Sequence, residues 1–302
     1  MAIRESLIIA AGTVFLGSPA MARDTIDLQP TTAWNMHYED DSCVLIRQFG
    51  EGESIAYLQM RKFAPGPKMQ IVISTNATSG TSRDFKYRFD SSQSWADANG
   101  FHVEMGSGID GVIFETSLLS DEALAQMLGE LGEEASDWEN DTIPVLMVKA
   151  EERIAAETDS IWIKNGFKDE LVLQTGPLDG PIKAMQACTD DLLREWGIDQ
   201  DTDAKLTRRP EPKNIEYLGR SIPYPPQMLR RGMPGMVNLR LSVDDKGGVS
   251  ECHVQMPLSD PQFEETACRS LKAKLKFDPA LDADGNAVAS YWTNTVVFRM
   301  QP

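Results

Sequence analysis

Four cysteines (Cys43, Cys188, Cys252 and Cys268) and three histidines (His37, His102 and His253) are the side chains with which this 302-residue chain could do redox, metal or acid–base chemistry. A zinc site needs about four nitrogen or sulfur ligands at tight spacing. The sequence has no CxxC pair and its histidines stand far apart, so no metal site is expected. His102 lies near Glu104, and Ser107 sits between Gly106 and Gly108, which together suggest a hydrolase. The G-x-S-x-G elbow, H-E-x-x-H and S-x-x-K patterns are all missing, however. A histidine in FHVEM reads more simply as the polar face of an alternating strand, so neither a catalytic residue nor a cofactor is expected. Asp199, Asp201 and Asp203 imitate the start of a calcium loop, as do Asp282, Asp284 and Asn286. Ala204 and Ala287 occupy the sixth position, where the turn wants glycine, and Pro210 and Thr293 occupy the twelfth, where a bidentate Glu is required. Both stretches read as turns and solvated acidic surface.

What remains is the cysteines, and their chemistry depends on compartment. Arg4, the apolar run of 11 residues from Leu7 to Gly17, and Ala20-Met21-Ala22 have the form of a signal peptide over residues 1–22, cleaved before Arg23. The run falls short of the ~20 apolar residues of a membrane span, so a soluble chain exported to the periplasm is expected, with no transmembrane segment after cleavage. In that compartment the cysteines are expected as disulfides. Three pairings are conceivable, and pairing within each part of the chain is the simplest. The charge is divided unevenly: residues 23–213 hold 18 Lys+Arg against 35 Asp+Glu, and residues 214–302 hold 10 of each. With no basic patch to neutralise phosphates or headgroups, nucleic acid and anionic membranes are excluded as partners.

The elements that must position these groups form an α+β chain in two parts. Residues 23–197 read as an acidic, β-rich antiparallel domain, as a sheet, sandwich or partial barrel. Its short strands (43–49, 54–63, 69–75, 85–90, 101–105 and 111–117) are separated by Gly, Pro, Asn and Ser. Two helices are expected within it. Ser120-Asp121 should cap the first, with Leu124, Met127, Leu128 and Leu131 on one face. The second spans about 181–196 and turns Cys188 to the core, where Cys43 begins a strand. Asn165-Gly166 is expected as a type I′ hairpin turn. Residues 198–220 are polar and hold Pro210 and Pro212, which predicts a linker between independently folding parts. Residues 221–302 read as a small two-layer unit of helix, β-hairpin, helix and β-strand. Its hairpin places Cys252 on the face of Val254 and Met256, and its helix, capped by Asp260, turns Cys268 inward with Leu271 and Leu275. The two thiols should therefore meet.

The order of these elements resembles the C-terminal domain of the TonB family of periplasmic energy transducers. The resemblance rests on Tyr224-Pro225, on Gly232 and Gly235, on VDDKGGV (243–249) and on FEETACRSLKAKLKFDPA (263–280), and covers about 80 residues. It implies a small antiparallel sheet with two helices that grips a short extended segment of an outer-membrane receptor. The family's N-terminal membrane helix and long Pro-rich spacer have no counterpart here, and a folded acidic part takes their place. The function expected is thus an exported binding protein that pairs with an extended segment of an envelope protein, such as a TonB-dependent outer-membrane receptor. The last strand, about 288–300, would form an exposed edge with Tyr291, Thr293, Thr295 and Val297 outward to select the partner; a homodimer would use the same edge. The alternatives are a periplasmic hydrolase and an acidic scavenger of small cationic ligands, each using the N-terminal part.

Overall fold

The computed structural model describes residues 24–80, 84–104, 109–119, 142–214, 222–256 and 259–300. The signal segment 1–22, Ser107 and the helix expected from Ser120 lie outside the described residues. The fold is α+β. Six antiparallel strands form one sheet in the order Asn35–Glu39, Ser42–Phe49, Ala56–Lys62, Lys68–Thr75, Asp110–Ser117 and Asn99–Glu104. Because side chains alternate along a strand, Leu45, Leu58, Met60, Ile71, Ile73 and Phe114 collect on its inner face. A second, five-stranded sheet supplies Ile161, Ile163, Leu171 and Leu173 to the same core, and the helix Asp179–Glu195 adds Ile182, Met185 and Cys188. Apolar burial of this extent is the main stabilising term of the fold.

The disulfides join Cys43 to Cys188 and Cys252 to Cys268, each within its own part of the chain. Two local expectations change. Of Asn165 and Gly166 only Asn165 has a positive φ, 69°, and the strands it joins, Ser160–Lys164 and Glu170–Gln174, are separated by five residues rather than two. The longer loop is held from outside, since Lys168 N–H donates to Ser79 O at 2.8 Å and Phe167 pairs with Gly80. The second change is an unforeseen helix, Thr142–Glu157, which buries Ala150, Glu151 and Ala155.

Residues 198–214, expected within a linker, have fixed partners. Asp199 caps the short helix Gln200–Ala204 by accepting Thr202 N–H at 2.8 Å. Thr207 N–H then donates to Leu281 O, Leu281 N–H to Arg208 O, and Glu211–Pro212 pairs with Phe277–Asp278. The polar run is therefore extended but fastened to the C-terminal part.

That part is a three-stranded sheet with Gly235–Val243 central, Val249–Met256 on one side and Ser290–Phe298 on the other. The helix Pro261–Lys274 covers one face with Phe263, Ala267 and Leu271. Asp260 caps it by accepting Gln262 N–H at 3.0 Å, and Pro261 occupies a first-turn position that needs no donor. The hairpin turn is built by Asp244, whose carboxylate accepts Lys246 N–H and Gly248 N–H at 2.9 and 2.7 Å. Gly247 completes it at φ +77°, where a Cβ would lie 1.9 Å from Phe277 O. Gly247→Ala is expected to cost about 2–3 kcal/mol through left-handed strain and this backbone collision, read as a lowered urea midpoint.

Candidate functional site

The last strand, Ser290–Phe298, pairs with Gly235–Val243 and, among the described residues, with no strand on its other side. Every second backbone unit along that free edge therefore turns its N–H and C=O away from the ladder. The register aligns Val237 with Val296, Leu239 with Asn294 and Leu241 with Trp292, which sends those residues toward the helix. Tyr291, Thr293, Thr295 and Val297 lie together on the opposite face, as their spacing requires.

That face is not open. It lies on the outer surface of the six-stranded sheet. Val297 and Met236 pack on Val72 and Ile113. The Thr295 hydroxyl bonds the Glu115 carboxylate and lies 2.6 Å from Asn238 Oδ1. Tyr291 is 7% exposed, beside Ala64 and Leu193, with its ring 5.5 Å from Trp196. Burial pushes its phenol well above the usual range, with the neighbouring Arg209 charge opposing. Further contacts fix the arrangement. Gln255 Nε2 donates to Phe63 O at 2.7 Å, His253 Nε2 lies 2.7 Å from Asp41 Oδ2, the Arg240 guanidinium stacks 4.1 Å from the Trp196 ring centre, and Arg299 donates to Gly100 O. Of the four residues expected to project outward, Tyr291, Thr295 and Val297 thus serve as an internal interface, while Thr293 borders the cavity beside it. Val72 and Ile113 are apolar residues on the sheet's second face, and leaving them in water would forfeit their burial.

Between this interface and the free edge runs a cavity of about 250 Å³. One wall is the strand from Tyr291 to Thr295, and the other is the turn from Ala64 to Lys68. The turn is anchored from beneath: Lys62 Nζ donates to Gly66 O at 2.8 Å and to Glu151 Oε1 at 2.5 Å, and Gln186 Nε2 holds Glu151 Oε2 at 3.1 Å. Arg209 closes one end, its guanidinium forked onto Asp203 at 3.0 and 2.7 Å.

Residues 220–300 match the family model of the Gram-negative bacterial TonB protein C-terminal. The matched region contains every motif that carried the resemblance. Tyr224 sets its ring 5.7 Å from both Phe263 and Phe298 and donates its hydroxyl to Met233 O at 2.5 Å. It thereby ties the short helix Pro226–Arg231 to the end of the last strand. Gly235 lets the central strand pass Phe263, whose ring a Cβ would meet at 2.6 Å. No curated protein matches the chain. No helix among the described residues is long and apolar enough to cross a membrane.

His102 Nε2 stands 3.7 Å from Asp110 Oδ1, packed where a Cβ on Gly80 would reach it at 1.6 Å. All four cysteines are oxidised, so none is available as a nucleophile. The two calcium-like stretches are spent on local bonds: Asp203 on Arg209, and Asp282 on Asp284 N–H and Asn286 N–H.

Proposed function

We propose that the protein is an exported, periplasmic, non-enzymatic binding protein that takes an extended segment of an envelope protein as a fourth strand beside Ser290–Phe298. An outer-membrane transport receptor is the partner class that the TonB C-terminal domain suggests. The observation that carries this reading is the free edge of a nine-residue strand running along a cavity. Main-chain bonding would supply affinity there whatever the exact sequence bound. Because Tyr291, Thr295 and Val297 face the chain's own N-terminal part, selection belongs to the cavity walls rather than to an open sheet face.

The test uses proline. Adjacent residues of an edge strand turn their N–H groups alternately to the ladder and to solvent. Of Thr293→Pro and Asn294→Pro, one removes a ladder donor and destabilises the domain, and the other removes only an outward donor. The expected result is that the better-folded variant, judged by circular dichroism, loses at least about tenfold in recovery of outer-membrane receptors from envelope extract, as loss of one or more strand hydrogen bonds implies. Undiminished recovery by a folded variant would place the attachment elsewhere. A shift from dimer to monomer in sedimentation, with no receptor recovered by the parent chain, would assign the edge to a second copy.

A further inference from the structure

We infer that the cavity beside the last strand is a subsite for one large apolar side chain, leucine to phenylalanine in size, on the segment that pairs there. The inference rests on the edge-pairing reading and names the residue class that would anchor the segment. All five residues from Tyr291 to Thr295 border the cavity. Neighbours on a strand point to opposite faces, and Trp292 packs on the helix side, against Phe277. The cavity therefore opens onto the backbone edge of the strand as well as onto its Tyr291 face. A segment paired along that edge turns every second side chain to the Tyr291 face, and so into the cavity.

The lining decides what that side chain is. Its charges balance: Arg209 is forked onto Asp203, and Lys68, exposed at the rim, is matched by the Glu115 carboxylate. The other polar groups are engaged within the protein. Glu115 accepts from the Thr295 hydroxyl, Gln255 Nε2 donates to Phe63 O, and Gln70 Nε2 lies 3.1 Å from Met236 Sδ. What is left is apolar, since Phe63, Ala64, Pro65, Pro67 and Pro210 border the cavity together with Tyr291. Pro65 and Pro67 carry no N–H, so the turn offers a polar ligand no donor at either position and cannot close the edge as a strand of its own. The carbonyl between them, Gly66 O, is taken by Lys62 Nζ. A charged side chain drawn inside would shed water for partners already engaged, with Lys68 left at the rim. An apolar one gains by burial. The space suits it, because an apolar cavity of ~150 Å³ holds a benzene ring and this one measures about 250 Å³. The acidic part thus acquires a function: it supplies the Phe63–Lys68 wall, and with it the selectivity that the strand edge lacks.

The experiment uses the full chain after signal removal and capped seven-residue threonine peptides that differ only at the central residue, which is leucine, alanine, lysine or glutamate. With threonine elsewhere, each peptide can slide to the register that suits its central residue. By calorimetry the leucine peptide is expected to bind at least about tenfold more tightly than the alanine peptide, as burial of the added carbons implies. The lysine and glutamate peptides should bind no more tightly than alanine. Phe63→Ala removes part of the apolar wall and should cut the leucine-to-alanine ratio severalfold. Thr293→Phe fills the cavity from the strand side and should bring that ratio close to one. If circular dichroism shows that Phe63→Ala disturbs the fold, Thr293→Phe still decides, since phenylalanine suits a strand. Equal binding of all four peptides would overturn the subsite and leave edge pairing standing, and tightest binding of a charged peptide would overturn the apolar assignment. N-acetyl-leucine methylamide separates the two ideas: if it binds at millimolar concentration in a Phe63-dependent way while no peptide does, the subsite stands and edge pairing falls. If neither the peptides nor this amide bind, the inference is wrong.

Discussion

Replacing Cys43 and Cys188 together by alanine is expected to lower the unfolding free energy by about 5 kcal/mol, the largest loss from any single cross-link in the chain. The bond closes a loop with a sequence separation of 145, against 16 for Cys252 to Cys268. On the chain-entropy model the longer loop restrains the unfolded chain more, and the shorter bond contributes only about 3 kcal/mol. Location adds to the effect. Cys43 opens a central strand of the six-stranded sheet and is 0% exposed, while Cys188 lies on the helix that closes the core beneath it. Without the bond, that helix is held by its apolar contacts and by a few polar links such as Gln186 to Glu151. Equilibrium urea unfolding of both double variants checks the order. A smaller loss from Cys43/Cys188 than from Cys252/Cys268 would mean that the unfolded chain is already restrained in some other way.

Both disulfides follow the simplest of the three pairings, that within each part, and local periodicity turned Cys188, Cys252 and Cys268 inward while Cys43 was placed only at the start of a strand. In the C-terminal part almost every element could be read, since Asp260, Pro261, Phe263 and Leu271 mark one helix and the alternation of Val237, Leu239, Leu241 and Val243 marks the strand it covers. The strands expected in the acidic part lie within a residue or two of those found, but Thr25–Leu28, Asn35–Glu39 and Ala96–Asp97 were missed, and so was the arrangement of the sheets. The parallel pairing of Thr25–Leu28 with Glu170–Gln174 joins segments far apart in sequence, and no local signal announces it. The helix Thr142–Glu157 did leave a trace, because Met147, Ala150 and Ile154 recur at i, i+3 and i+7. The docking of the two parts left a subtler one. Ile71-Val72-Ile73 and Val112-Ile113-Phe114 are unbroken apolar runs, the pattern of strands buried on both faces rather than one. Read in that way, they require a second layer over the sheet, which the C-terminal three-stranded sheet supplies. The cavity could not be read at all. Gln70, Glu115, Gln255 and Thr295 converge only once the two sheets are in place.

Removing the Glu151 carboxylate is expected to be nearly as damaging as losing the long disulfide. Lys62 and Glu151 are both almost wholly buried, with side-chain exposures of 1% and 3%. An ion pair so placed barely offsets the desolvation of its members, but breaking it leaves a bare charge in the core, at a cost of about 3–5 kcal/mol. Glu151→Ala should lose that much at pH 7, while Lys62→Met with Glu151→Leu should stay close to the parent. The pH dependence carries a sign of its own. Burial lowers the Lys62 ammonium below its ordinary value of 10.5, with Glu151 opposing. Within the window below that value the unfolded chain therefore holds more protons than the folded one, and stability rises with pH as the folded lysine becomes neutral. Without Glu151 the depression deepens, so the penalty of Glu151→Ala should shrink as pH climbs from 7 toward 10. A penalty that stays constant across that range would show that Lys62 keeps its proton by finding another partner. The same lysine donates to Gly66 O, so at pH 7 the variant should also loosen the Ala64–Lys68 wall and weaken binding at the last strand, linking a buried charge pair to the shape of the partner site.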